Sequence, residues 1–138
     1  MRLPRFLQIT EKTMAGDSKF CFIRINPKYK DDKGLLAHEE EHVRQWYIVT
    51  FSLFIPYLIC AITVVEWPWH ILAFGWCGVM YNLACTFSRR VRLKAEVLAY
   101  RVQLSYSPKK ALRFAEFLAG SYDLNITTAK ALELLKAP

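Results

Sequence analysis

Two long runs without a charged side chain constrain this sequence more than any other feature. The first covers residues 47–65, the second residues 67–88, and Glu66 alone separates them. A helix rises ~1.5 Å per residue, so ~20 apolar residues are what it needs to cross a hydrocarbon core ~30 Å thick. At the join, Glu66-Trp67-Pro68-Trp69-His70 supplies a proline turn and two tryptophans, which favour the bilayer interface. The pattern predicts an apolar helical hairpin over about residues 47–88, of transmembrane type. A soluble alternative buries both helices in the rest of the chain. Thr50, Ser52, Pro56, Thr63, Gly75, Gly78 and Asn82 make the runs less greasy than a leucine-rich span. That alternative asks the remaining ~95 residues to wrap two helices that are apolar nearly all round.

Lys28, Lys30, Lys33 and Arg44 precede the first run, and Arg89, Arg90, Arg92 and Lys94 follow the second, whereas the turn has neither Lys nor Arg. By the positive-inside tendency both ends face the cytoplasm and the turn lies across the membrane. The charge of +7, from 19 Lys and Arg against 12 Asp and Glu, then matches the anionic lipids of the inner leaflet. No RNP motif, zinc finger or arginine-rich recognition helix points to nucleic acid, and none is expected as a partner. A length of 138 residues fits one domain over 1–138. A hydrophobic fraction of 54% with 14% aromatics excludes a disordered linker. Cys21 stands alone, and Cys60, Cys77 and Cys85 lie in the apolar runs without metal or disulfide spacing. They read as small buried hydrophobes in a reducing compartment. The N-terminal stretch has basic residues but no continuous apolar segment and does not read as a signal peptide.

Outside the hairpin, residues 20–25 (FCFIRI) read as a short strand that stops before Asn26-Pro27. Asp31-Asp32-Lys33-Gly34 is a turn that can open a helix from about residue 34 to 46, able to continue into the first run. Residues 89–106 read as helix. Ser107-Pro108 is an N-cap and first-turn pair for another, with Leu112, Ala115, Leu118 and Ala119 on its inner face and an end near Gly120. A last helix follows Thr127 with Leu132 and Leu135 inward. The fold class is mainly α with a short N-terminal β element, and no repeat is visible.

The chemistry is concentrated in His38-Glu39-Glu40-Glu41-His42, an HExxH pattern. On a helix the two histidines share a face and can reach one ion at ~2.0–2.1 Å. Glu39 lies beside them, where a carboxylate can take a proton from water on the ion. Glu40 and Glu41 read as solvent-facing. The bland alternative is a solvated helix face carrying two histidines among three acids. A hydrolytic zinc site needs a third protein ligand. His70 is the only other histidine and lies in the turn placed across the membrane, so Glu96, within Arg92-Leu-Lys-Ala-Glu96-Val-Leu-Ala99-Tyr100-Arg101, is the better candidate. A ligand on the same side as His38 and His42 requires an even number of crossings, and the apolar runs supply two.

HEEEH followed by a distant Glu96-x-x-Ala99 resembles the gluzincin class of zinc metallopeptidases. The two apolar runs between motif and third ligand resemble its membrane branch, the CAAX prenyl proteases and the bacterial heat-shock membrane zinc proteases. Leu35-Leu36-Ala37 before the motif and Val43-Arg44-Gln45-Trp46 after it are also similar to short phage or bacterial proteins of peptidase type. The specific resemblance covers about 25 residues. It implies a minimal zincin-like helical core with the hairpin inserted between the HExxH helix and the third-ligand helix. It implies Zn2+ held by His38, His42 and Glu96, Glu39 as general base, and a peptide or protein substrate. Gluzincins usually carry Asp four residues after the ligand Glu, orienting the first His; here Tyr100 stands there. The Tyr100 hydroxyl could accept that hydrogen bond or stabilise an oxyanion, or the ring could simply pack; Arg101 is a weaker candidate. The resemblance assigns residues 20–25 to the edge strand that pairs with extended substrate, against a plain hydrophobic strand. Arg89-Arg90-Val91-Arg92 reads as a membrane-surface anchor. The expectation is a zinc peptidase at the inner membrane with its site facing the cytoplasm. Its competitors are a non-enzymatic phage or bacterial membrane hairpin, a metal-binding pseudoenzyme, and a soluble cytoplasmic zincin whose apolar helices meet a partner.

Overall fold

The computed structural model describes residues 4–122 and 124–137 and is mainly helical. A three-stranded sheet, β1 (Phe6–Ile9), β2 (Gly16–Lys19) and β3 (Phe22–Ile25), precedes five helices: α1 (Lys33–Ala61), α2 (Trp67–Phe87), α3 (Arg89–Tyr106), α4 (Ala111–Gly120) and α5 (Thr128–Lys136). The strand order is β1-β3-β2, with β1 parallel and β2 antiparallel to β3.

The strand expected at 20–25 is therefore shorter, and it is the central strand rather than an edge. β1 and β2 were not anticipated. Gly16-Asp-Ser-Lys19 has no β-forming residue, and all four residues of β1 are exposed. Only pairing with β3, whose Ile23 and Ile25 are buried against Val43 of α1, makes them strands.

α1 is one continuous helix of 29 residues. The Asp32 side chain opens it by accepting a hydrogen bond from the Leu35 N–H at 2.9 Å, a cap that contributes ~1 kcal/mol. The same helix carries HEEEH in its first turns and the first apolar run in the rest. After a short turn, α2 comes back along it. The two meet closely where the Trp46 Nε1 donates to the Gly78 carbonyl at 2.8 Å. A Cβ on Gly78 would sit 2.9 Å from the indole, so glycine is required by the approach. Gly78→Leu is expected to prise the helices apart and to destabilise by ~1–3 kcal/mol, the usual cost of overpacking. Thermal unfolding of purified protein should show a lower Tm, and an unchanged Tm would mean that the helices are not held together there.

α3 then runs beside α1, and α4 and α5 pack on α3 around Val97, Tyr100, Phe114, Ala115, Leu118, Leu124, Ala131 and Leu135. Leu112 does not join this core and is 57% exposed, while Phe114 is buried. Pro108 starts a short 3₁₀ turn, so α4 begins only at Ala111, and Ser107 makes no side-chain cap. Two residues apart on a helix means ~200° around its axis, which puts Leu112 opposite Phe114. Leu132 is half-buried against the same cluster.

α1 and α2 are both long and apolar enough to cross a membrane. In the most apolar stretch of each, 22% and 11% of residues are buried, whereas a core helix of a soluble protein would be mostly covered. Ile55, Ile59, Trp69, Leu72, Trp76 and Leu83 all point outward.

Candidate metal centre

His38 and His42 lie one turn apart on α1, and their Nε2 atoms are 3.3 Å from each other. Glu96 reaches in from α3, its Oε2 3.6 Å from both. A circle through these three atoms has a radius of about 2.0 Å, which is the distance at which zinc is held by His nitrogen and carboxylate oxygen, ~2.0–2.2 Å. His38 is buried and His42 and Glu96 are nearly so. Among the described residues, Glu96 Oε2 is one of the few buried polar atoms with no hydrogen-bond partner. An unpaired buried acceptor costs ~1–3 kcal/mol, and a cation among the three donors would satisfy it. Two nitrogens and one oxygen with room for a fourth ligand suit zinc.

The groups of the cluster act strongly on one another's charge. Burial by itself would raise the Glu96 carboxyl, but the imidazoles of His38 and His42 outweigh it and hold this group well below the usual carboxylate range. Burial works against a charge on His42, and the carboxylates of Glu96 and Glu39 overcome it and raise its pKa. Glu39 is 5% exposed. Burial pushes its carboxyl up, with the two histidines pulling partly the other way.

β2 passes directly over Glu39. A Cβ on Gly16 would meet the Glu39 Oε1 at 2.9 Å, so a residue without a side chain lets strand and carboxylate come together. β2 is also the sheet's free edge on this side, and it lines a cleft of about 590 Å³ that opens onto His38, Glu39, His42 and Glu96. The edge position expected of residues 20–25 therefore belongs to residues 16–19. The opposite wall is built from the last turns of α2 (Tyr81, Asn82, Cys85 and Thr86), with Arg92 and Tyr122.

Glu40 and Glu41 differ from the expectation of two solvent-facing acids. Glu40 is half-buried and pairs with Arg5. Glu41 is 7% exposed, accepts from Arg44 Nε and Nη2, each at 2.7 Å, and accepts from Gln45 Nε2 at 3.2 Å. It sits three residues after His38, on the side of α1 that packs against α2 and α3. Gln45 also donates to the Ala95 carbonyl at 3.2 Å and accepts from the Tyr81 hydroxyl at 2.7 Å. One amide thus ties the motif helix to α2 and to the residue next to Glu96. Gln45→Ala is expected to weaken binding of a metal ion at this site by about tenfold, the lower end of the ~10–100-fold range for groups that support ligands, with the circular dichroism spectrum unchanged. An affinity equal to the wild type would show that Glu96 needs no such tether.

The Tyr100 ring stands edge-on to His38, centroids 4.5 Å apart, and its hydroxyl bonds the Tyr122 hydroxyl at 3.1 Å. The His38 Nδ1 is buried without a partner among the described residues; the tyrosine at this position does not replace the carboxylate of the resemblance. Arg101 turns away and donates to the Leu134 carbonyl at 2.6 and 3.1 Å. His70 is buried in the first turn of α2, bonded to the Tyr57 hydroxyl at 3.3 Å, and ~18 Å of helix separates it from the cleft-lining Asn82. Tyr122, Gly16 and Gln45 were missed by the sequence reading. Gln45 alone carried a signal, as an amide one helical turn beyond Glu41 and His42 of the motif. No protein-family model, curated protein or solved structure matches this chain.

Proposed function

We propose that this chain is a membrane-anchored zinc peptidase with a minimal zincin-like helical core, cleaving peptide or protein substrates at the cytoplasmic face of the inner membrane. The observation that carries the reading is the convergence of His38, His42 and Glu96 within one ion's coordination radius, with Glu39 buried beside them. Zinc in that position would supply Lewis acidity toward a carbonyl oxygen and toward water.

The chain's own groups perform the rest. The free edge of β2 offers unpaired backbone groups to an extended peptide. Glu39, with its affinity for protons raised by burial, takes the proton from the attacking water and delivers it to the leaving amine. The Tyr122 hydroxyl lies in the cleft wall, coupled to Tyr100, and donates toward the substrate oxygen as it gains charge. Removing one such donor costs ~10²–10³-fold in turnover at a site of this kind. Tyr122→Phe is expected to lower kcat by that order while zinc content stays constant, and an unchanged kcat would confine Tyr122 to packing.

The anchoring part of the proposal draws on the exposed apolar surfaces of α1 and α2 and on the basic residues that flank both runs on one side. After alkaline carbonate extraction the protein should stay with the membrane pellet; release into the supernatant would overturn the anchoring.

A second reading has its own observation. The orphaned His38 Nδ1 favours a protein that holds zinc without turnover. Digestion of unfolded casein by detergent-purified protein separates the two. Cleavage abolished by a chelator and restored by zinc supports the peptidase; stoichiometric zinc without cleavage supports the second reading; no zinc overturns both.

A further inference from the structure

We infer that the aromatic end of the N-terminal sheet rests on the anionic bilayer surface, so that the sheet and its free edge are seated against lipid beside the cleft; this rests on the membrane anchoring proposed above. The strand register places Phe6, Phe22 and Lys19 in one row across the sheet and Gln8, Arg24 and Asp17 in the next. Ile23 and Ile25 point inward, so both rows face away from the protein. The first row carries two aromatic rings beside Lys19 where solvent would be expected. Phe6 is 60% and Phe22 53% exposed, with rings stacked at 5.0 Å. The second row is polar, with Asp17 and Arg24 paired.

Two contacts orient these rows relative to the apolar helices. Phe20, in the turn after β2, meets the Trp46 ring edge-on at 6.0 Å. The Tyr47 hydroxyl donates to the Pro4 carbonyl at 2.9 Å. Trp46 and Tyr47 are where the first uncharged run begins. At the other end of the sheet Gly16 touches Glu39, seven residues and ~10 Å earlier along α1. The aromatic row is therefore the membrane-side end of the sheet, and the polar row stands farther off. Lys19 and Phe20 also share a cleft with Cys85, Thr86 and Arg92, which puts them level with the point where the second run ends in basic residues.

The charges and the ring types match such a surface. Lys19, Arg89, Arg90 and Lys94 are exposed at this level, and basic side chains near an anionic leaflet are attracted to it. The turn itself is unusual. Phe20 has φ 57°, in the left-handed region, where glycine or asparagine is relaxed and a bulky side chain is strained. An aromatic kept there, over the start of the apolar run, is accounted for by what its ring touches.

Depth measurements by spin labelling test this on the whole chain. In a background with the four cysteines replaced by Ala, single cysteines are placed at Phe6, Phe22 or Gln8, or Cys60 is restored as a reference within the first run. Each protein is reconstituted into phosphatidylcholine vesicles containing about a quarter phosphatidylglycerol. The expected result is that labels at Phe6 and Phe22 shift toward oxygen accessibility over a water-soluble nickel chelate, in the direction shown by Cys60, while Gln8 favours the chelate. If Phe6 and Phe22 match Gln8 while Cys60 remains lipid-exposed, the sheet stands clear of the bilayer and the inference fails with the anchoring intact. If both labels are shielded from oxygen and nickel alike, protein covers this face and the inference also fails. If Cys60 itself is in water, the anchoring fails and takes the inference with it. Both aromatic positions are exposed, so one label serves as the check on folding at the other.

Discussion

Purified protein is expected to carry about one zinc per chain, and His42→Ala and Glu96→Ala are each expected to lose it. His42 on α1 and Glu96 on α3 are separated in the chain by the whole of α2, yet their donor atoms are 3.6 Å apart. Removing either leaves two donors, too few for a protein zinc site. The affinity should fall by more than the ~100-fold that loss of a supporting partner can cause. Because zinc binding adds to the stability of the folded state alone, the wild type should also melt at a higher temperature with zinc than without, and the two variants should not. Metal analysis together with thermal unfolding checks this. Retention of zinc by Glu96→Ala would remove α3 from the site, and the peptidase proposal would lose its third ligand.

Glu39→Gln should keep the zinc and abolish hydrolysis. Gln fills the same space and can still accept a hydrogen bond, but it cannot take a proton from water, and a general base of this kind contributes ~10²–10⁴-fold. The side chain faces the cleft without being one of the three converging donors, so metal content separates a chemical effect from a structural one. Casein cleavage by wild type and variant at equal zinc occupancy is the measurement. A variant as active as the wild type would place the base elsewhere and would falsify the assignment of Glu39.

Much of this site was readable because it is local. A spacing of four residues on a helix decides that His38 and His42 share a face, whatever surrounds them. Glu96 follows from topology, because a second helix running back along the first returns the chain to its starting side. The structure does place Glu96 against both histidines. The residues that escaped notice owe their positions to contacts from afar. Tyr122 lies 80 or more residues beyond the motif, in a turn, with no periodicity to report which way it faces. Glu41 looked like any charged residue on an exposed helix. Its burial follows from the return of α2 and α3 on that side of α1, where Arg44 and Gln45 satisfy both carboxylate oxygens.

By itself, the sequence determined the helical elements, the apolar character of residues 47–88 and the pairing of two histidines with Glu39, since these depend on neighbours within one or two turns. The tertiary structure alone decided that Gly16-Asp-Ser-Lys19 is a strand and the edge beside the cleft, that Gln45 links three helices, and that Tyr100 offers His38 a ring instead of a carboxylate. Each of these depends on which surfaces meet across long stretches of chain, and hydrogen bonds and packing between distant segments leave no period in the sequence to read.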